Sequence, residues 1–180
     1  MSTYAAFLRG MNVGGHRISN EELRALFTQM GLADVRTFRA SGNVIFAAED
    51  EPLPALSTRI EDGLVSSLAY AVPTFLREAA EVRKIAAHSP FEPALVTASA
   101  GKLQVALLAE RPSAAARRTV LALASEQDRL ALAGRELYWL PSGGILDSEL
   151  DLKAIAGALG AMTVRTKGTI ELIAEKHLPG

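Results

Sequence analysis

The sequence predicts an α+β fold: two β-α-β-β-α-β units joined by a helix, with one extra helix at the C-terminal end. Three observations carry this. Short apolar runs of strand character alternate with longer runs whose apolar residues recur at helical spacing. The order of these runs repeats along the chain, although residue identities do not. The two passes are separated by a proline-containing stretch, Ser89 to Gly101. The expected division is residues 1–77, a connecting helix and loop over 78–101, and residues 102–180.

Thr3 to Leu8 is short, apolar and aromatic-bearing, and reads as a buried strand. A glycine-rich loop follows. Ser19-Asn20-Glu21-Glu22 then fits a capping box, in which Ser19 bonds the N3 amide and Glu22 reaches back. Leu23, Leu26, Phe27 and Met30 form one apolar face of the helix, and Gly31 stops it. Val35 to Ala40 and Val44 to Ala48 read as a hairpin turned by Ser41-Gly42-Asn43. A second helix runs from Leu53 to Leu68, with Leu53, Leu56, Ile60 and Leu64 inward. Ala71 to Leu76 is the fourth strand. Pro73 cannot donate to a ladder, so this strand belongs at a sheet edge. That order is the ferredoxin-like pattern. Its core should gather Phe7, Leu23, Leu26, Phe27, Phe46, Ile60 and Leu64.

Glu78 to His88 is the connecting helix, with Val82, Ile85 and Ala86 inward, and Ser89 to Gly101 a loop. The pattern then restarts. Leu103 to Ala109 is a strand, and Ser113 caps a helix. Leu130 to Ala133 and Glu136 to Leu140 flank a two-residue turn, Gly134-Arg135. Ser148 is the expected cap of a helix with Leu152, Ile155 and Leu159 inward, ended by Gly160. Met162 to Arg165 reads as the last strand, and Thr166 caps a final helix through Lys176.

Composition narrows the function classes. The chain has 180 residues, 49% of them hydrophobic and 22% charged, which is ordinary for a globular protein. It has no cysteine, which removes disulfides, thiolate catalysis and cysteine-ligated zinc. No apolar run reaches the ~18 residues of a membrane span. No secretory leader pattern opens the chain, so cytoplasmic residence is the expectation. No P-loop, dinucleotide fingerprint or nucleophile elbow is present.

Phe7-Leu8-Arg9-Gly10-Met11-Asn12-Val13-Gly14-Gly15, then Ser41-Gly42-Asn43-Val44-Ile45-Phe46, then Thr163-Val164-Arg165 with Thr169, resemble the signature stretches of the Domain of Unknown Function 1697 family. The resemblance spans nearly the whole chain. It implies a bacterial intracellular protein built from ferredoxin-like halves, and it implies no activity. The C-terminal stretch departs from the family pattern, in which an asparagine and often an aromatic follow the arginine. Thr166 and Lys167 stand there instead.

In a β-α-β-β-α-β unit the first two strands run parallel, so the loop after the first and the turn after the second share one end of the sheet. Ser41, Gly42 and Asn43 should therefore lie beside the Arg9 to Gly15 loop. The functional reading is a pocket for a small anionic or phosphorylated ligand. Arg9 would supply a fork, Asn12, Ser41 and Asn43 neutral bonds, Gly14 and Gly15 a nest of amides, and His16 a titratable donor. The structural reading gives the same glycines and Asn43 to turn geometry, and gives Arg9 to carbonyls or an acid. Arg165 and Lys167, at the start of the last helix, are further cations for an anion or for solvent. Asp147, Glu149 and Asp151 suit a helix dipole better than a metal, and His88 and His177 sit at helix ends for the same reason. The sequence assigns no metal, cofactor or oligomeric state.

Three function classes compete. The first is a small-ligand site, whose least strained chemistry is transfer or hydrolysis on a phosphorylated compound; no nucleophile or general base stands out to carry it. The second is a protein-interaction module without catalysis. The third is an RNA-binding module. A net charge of −1 and the lack of paired aromatics on the Asn43 to Phe46 strand argue against it.

Overall fold

A computed structural model describes residues 1–12, 14–39, 42–100 and 102–180. The first pass is β1 (Ser2–Leu8), α1 (Asn20–Gln29), β2 (Ala33–Thr37), β3 (Asn43–Ala48), α2 (Leu53–Leu68) and β4 (Thr74–Glu78). Then come α3 (Ala79–Ala87) and α4 (Pro93–Ala98). The second pass is β5 (Gln104–Leu108), α5 (Ala114–Leu121), β6 (Asp128–Ala133), β7 (Glu136–Pro141), α6 (Leu152–Leu159) and β8 (Met162–Thr166). A 3-10 turn, Ile145–Asp147, precedes α6, and α7 (Lys167–His177) ends the fold.

Two four-stranded antiparallel sheets result, ordered β2-β3-β1-β4 and β6-β7-β5-β8. Both have the strand order of a ferredoxin-like unit. The chain divides into two compact units, Met1–Arg83 with Ile173–Gly180, and Lys84–Leu172. The sequence places residues 173–180 with the second pass; the fold returns them to the first unit.

In the first unit β1 and β3 pair with Tyr4 opposite Phe46. The two-residue period then puts Tyr4, Ala6 and Leu8 on one face with Val44, Phe46 and Ala48. Leu23 and Phe27 of α1 and Leu56, Ile60 and Leu64 of α2 close over that face. Each such side chain contributes about 1.5–3 kcal/mol by leaving water. Leu26 and Met30 are half-buried at its margin. Phe7 corrects the expected core. It is buried, but it stands opposite Asn43, one residue out of phase with Tyr4 and Leu8, so it faces away from α1 and α2.

The Ser19 capping box forms as expected, and Gly31 leaves α1 with φ +80°. The fourth strand is at the edge, as Pro73 implies, but it begins one residue after the proline. In the second unit Ala106, Leu108, Leu137 and Trp139 pack against Val120 of α5 and against Ile155 and Leu159 of α6.

Three local expectations are corrected. Residues 93–98 are helical rather than loop, with Pro93 at the first position and no buried residue. Asp151, not Ser148, caps α6, its carboxylate accepting from the Ala154 amide at 2.9 Å. Leu152, at N1, is 51% exposed instead of inward.

Candidate functional site

The end of the first sheet is built by three hydrogen-bonded joins. The Leu8 amide donates to the Gly42 carbonyl at 2.8 Å, and the Arg9 amide donates to the Pro73 carbonyl at 3.0 Å. Tyr70 reaches across from beyond α2 and donates its hydroxyl to the Met11 carbonyl at 2.9 Å. The loop after β1, the β2–β3 turn and the lead into β4 therefore share this end, which is the convergence that the strand order demands.

The approach is tight at Gly42. Its φ is +74°, and a Cβ there would meet Leu8 Cβ at 3.1 Å and Leu8 O at 3.3 Å. Glycine satisfies both constraints at once.

The loop is braced from within. Asn12 Oδ1 accepts from the Ile18 amide at 3.0 Å, and the Asn12 carbonyl accepts from the Arg17 guanidinium at 3.1 Å. The His16 ring stacks on Tyr70, with centroids 3.9 Å apart and planes at 25°. Gly14 and Gly15 are exposed, with φ of +62° and +85°. A nest of amides alternates right- and left-handed residues; these two are both left-handed.

Arg9 is exposed, and its guanidinium has no hydrogen-bond or ion-pair partner among the described residues. Arg39 sits in the turn at φ +58°, with its guanidinium 5.4 Å above the Phe38 ring. Asn43 is committed to the hairpin. It is 1% exposed, and its amide donates to the Phe38 carbonyl at 2.9 Å. Ser41 lies outside the described residues.

The N-terminus of α1 is already served by its own carboxylate. Glu22 accepts from the Ser19 amide at 2.7 Å and from the Ser19 hydroxyl at 2.8 Å. Those two bonds hold its carboxyl below the usual glutamate range. An anion at this end would meet arginines and loop amides, not a vacant helix terminus.

The other candidates belong elsewhere. Arg165, on β8 of the second unit, donates to Thr163 Oγ1 at 2.8 Å and to the Val164 carbonyl at 2.9 Å. Burial lowers its pKa to about 10, which leaves it charged at neutral pH. Lys167 is buried, bonding the Ala86 carbonyl at 2.8 Å and Glu171 at 2.6 Å. It ties α7 to α3. His88 packs on Tyr138, and His177 meets the edge of Phe38.

One polar centre has no signature in the sequence. Asp128 is buried, and its Oδ1 accepts from Trp139 Nε1 and from Ser148 Oγ, both at 2.7 Å. Nothing in Gln127-Asp128-Arg129 distinguishes this carboxylate from a solvated one. Only the β6–β7 pairing, which brings position 139 to it, reveals the role.

With that geometry in place, the family can be stated. The pattern of the family described as protein of unknown function (DUF1697) matches residues 1–138. The chain belongs to that family. The match takes in both DUF1697 stretches that meet at the end of the first sheet. It stops before the Thr163-Val164-Arg165 stretch. No curated protein matches the chain. Among solved structures, a conserved bacterial protein from Streptococcus pneumoniae is similar, with a TM-score of 0.72, 20% identity and 97% of each chain covered. At that identity the likeness concerns the fold alone. Among the described residues, no helix is long and apolar enough to cross a membrane.

Proposed function

We propose that the end of the first sheet binds a small phosphate-bearing anion, held by Arg9 and the Gly14-Gly15 loop on one side and by the Gly42 turn on the other. One observation carries this reading. The two hydrogen-bonded segments carry arginines and no acid: Arg9, His16 and Arg17 lie in a run from Met1 to Asn20 free of Asp and Glu, and Arg36 and Arg39 lie in another from Val35 to Ala48. In a chain of net charge −1, that is a local cationic field.

Arg9 is the specific anchor, because its fork is exposed and unspent, and a guanidinium matches a phosphate bidentately. Asn12 has used its oxygen within the loop, so its amide nitrogen is the group left to donate. Asn43 acts through the hairpin and not on the ligand. No group here is placed as a nucleophile or base, so the proposal is of binding.

The test is a thermal-shift screen of phosphate, nucleotides and sugar phosphates. A true ligand at ~100 times its Kd stabilises by ~2.7 kcal/mol. At roughly 2–4 °C per kcal/mol for a chain of this size, the shift is about 5–10 °C. If no phosphate compound moves the melting point, the arginines are solvated scaffold.

A further inference from the structure

Two aromatic rings stack at the end of the first sheet, and phosphate binding alone gives them no use. The His16 ring lies on Tyr70 with centroids 3.9 Å apart and planes at 25°. Tyr70 is the fixed member. It packs against the core of the first unit, and its hydroxyl donates to the Met11 carbonyl at 2.9 Å. His16 is the outer member. It is exposed even with Tyr70 against one face, and Tyr70 is its only ring partner among the described residues. Its imidazole makes no hydrogen bond or ion pair with those residues. An exposed ring with one face covered presents the other to solvent.

An open ring face backed by a fixed ring is what a nucleobase stacks on. Histidine and tyrosine serve this purpose because every base has a π-face. A platform already held in place also lowers the ordering cost of binding. Phe38, the aromatic of the neighbouring turn, is engaged already: Arg39 lies 5.4 Å above its ring and His177 meets it edge-on.

The platform is close to the phosphate anchor. Arg9 stands two residues before Met11, a backbone span of at most ~7 Å. The Met11 carbonyl is the atom that Tyr70 holds. An exposed arginine fork and an open stacking ring at this separation match a phosphate and a base joined through a sugar. Stacking reads a ring and not its hydrogen-bonding edge, so purine and pyrimidine nucleotides both qualify.

We propose that the ligand of this sheet end is a mononucleotide, with its phosphate on Arg9 and its base stacked on the open face of His16. This rests on the anion reading of the same end and narrows it to phosphates that carry a flat heteroaromatic ring.

Calorimetric titration of the full chain with AMP, ribose 5-phosphate, adenosine and inorganic phosphate tests it. AMP should bind at least about tenfold more tightly than ribose 5-phosphate, the order of one base–aromatic stack. Adenosine, without the phosphate, should bind far more weakly than AMP. The His16 ring-proton NMR signals should move upfield with AMP and not with ribose 5-phosphate. His16→Ala should weaken AMP about tenfold and leave ribose 5-phosphate unchanged. His16→Phe keeps a stacking face without the nitrogens and should restore AMP. His16 is exposed, so both variants should melt close to the wild type. Ribose 5-phosphate binding as tightly as AMP would overturn the base platform and leave the anion site standing. Equal loss of both ligands in His16→Ala would overturn it too, by making His16 a donor to phosphate. Adenosine binding as tightly as AMP, or no binding of any of these compounds, would remove the anion site and this inference with it. A short single-stranded oligoadenylate binding more tightly than AMP would overturn it in favour of a nucleic acid.

Discussion

Leu8 and Gly42 are joined by a 2.8 Å hydrogen bond from the Leu8 amide to the Gly42 carbonyl. That bond fixes the loop after β1 to the β2–β3 turn, and it brings two arginine-bearing segments far apart in sequence to one end of the sheet.

Gly42→Ala should therefore destabilise the protein. The new Cβ would sit 3.1 Å from Leu8 Cβ, on a residue with φ of +74°. Left-handed strain alone costs roughly 1–2 kcal/mol, and the close approach adds to it. Thermal unfolding should show a drop of about 4–8 °C. An unchanged melting point would mean that the turn has room to relax.

Leu23→Ala and Leu26→Ala should separate cleanly. Leu23 is fully buried against the sheet, while Leu26 lies at the margin of the core. The first should cost about 2–5 kcal/mol in denaturant unfolding, and the second clearly less. Equal losses would show that the buried face of α1 is broader than its packing indicates.

Asp128→Ala strips a partner from the Trp139 indole and from the Ser148 hydroxyl at once. A loss of about 2–5 kcal/mol is expected, with a red shift in Trp139 emission. Asp128→Asn keeps an accepting Oδ1 and should retain most of the stability. If both variants behave alike, charge rather than hydrogen bonding holds this centre.

Much of the fold was legible because it depends on near neighbours in sequence. The capping box at Ser19, the stripe of Leu56, Ile60 and Leu64, and the stop at Gly160 need only local spacing. What was not legible depends on partners brought from afar. Ser148 has the chemistry of a cap, but its hydroxyl goes to Asp128, twenty residues away. Helix α4 buries nothing, so it leaves no apolar stripe. Phe7 looks like any core aromatic until the register with Asn43 assigns its face. The same holds for the candidate site. The donor residues were visible as a list, whereas the use of Asn43 on Phe38 follows from the folded hairpin and the exposure of Arg9 from its place just beyond β1.

His177 should give the first unit a mild acid sensitivity. Burial first, then Arg36 and Lys176, lower its pKa in the folded state. The unfolded chain, with a pKa of about 6.5, then takes up the proton first as pH falls. Its contribution to stability thus declines on the acid side of that value and rises again with pH. His177→Gln should flatten the pH dependence of unfolding between about pH 5 and 7 relative to the wild type. A steeper dependence in the variant would reverse the sign of the argument.

The most direct test of the proposed anion site is calorimetric titration of the wild type and Arg9→Ala with the phosphate compound giving the largest thermal shift. Arg9 makes no side-chain bond to the described residues, so the variant should melt within a degree or two of the wild type, as expected for a surface change. Its affinity should fall at least tenfold, the loss of one charge-assisted fork. Unchanged affinity in a folded Arg9→Ala protein would contradict the assignment of this sheet end as the anion site. Unfolding of that variant, with no heat from any phosphate compound in the wild type, would make Arg9 a scaffold residue.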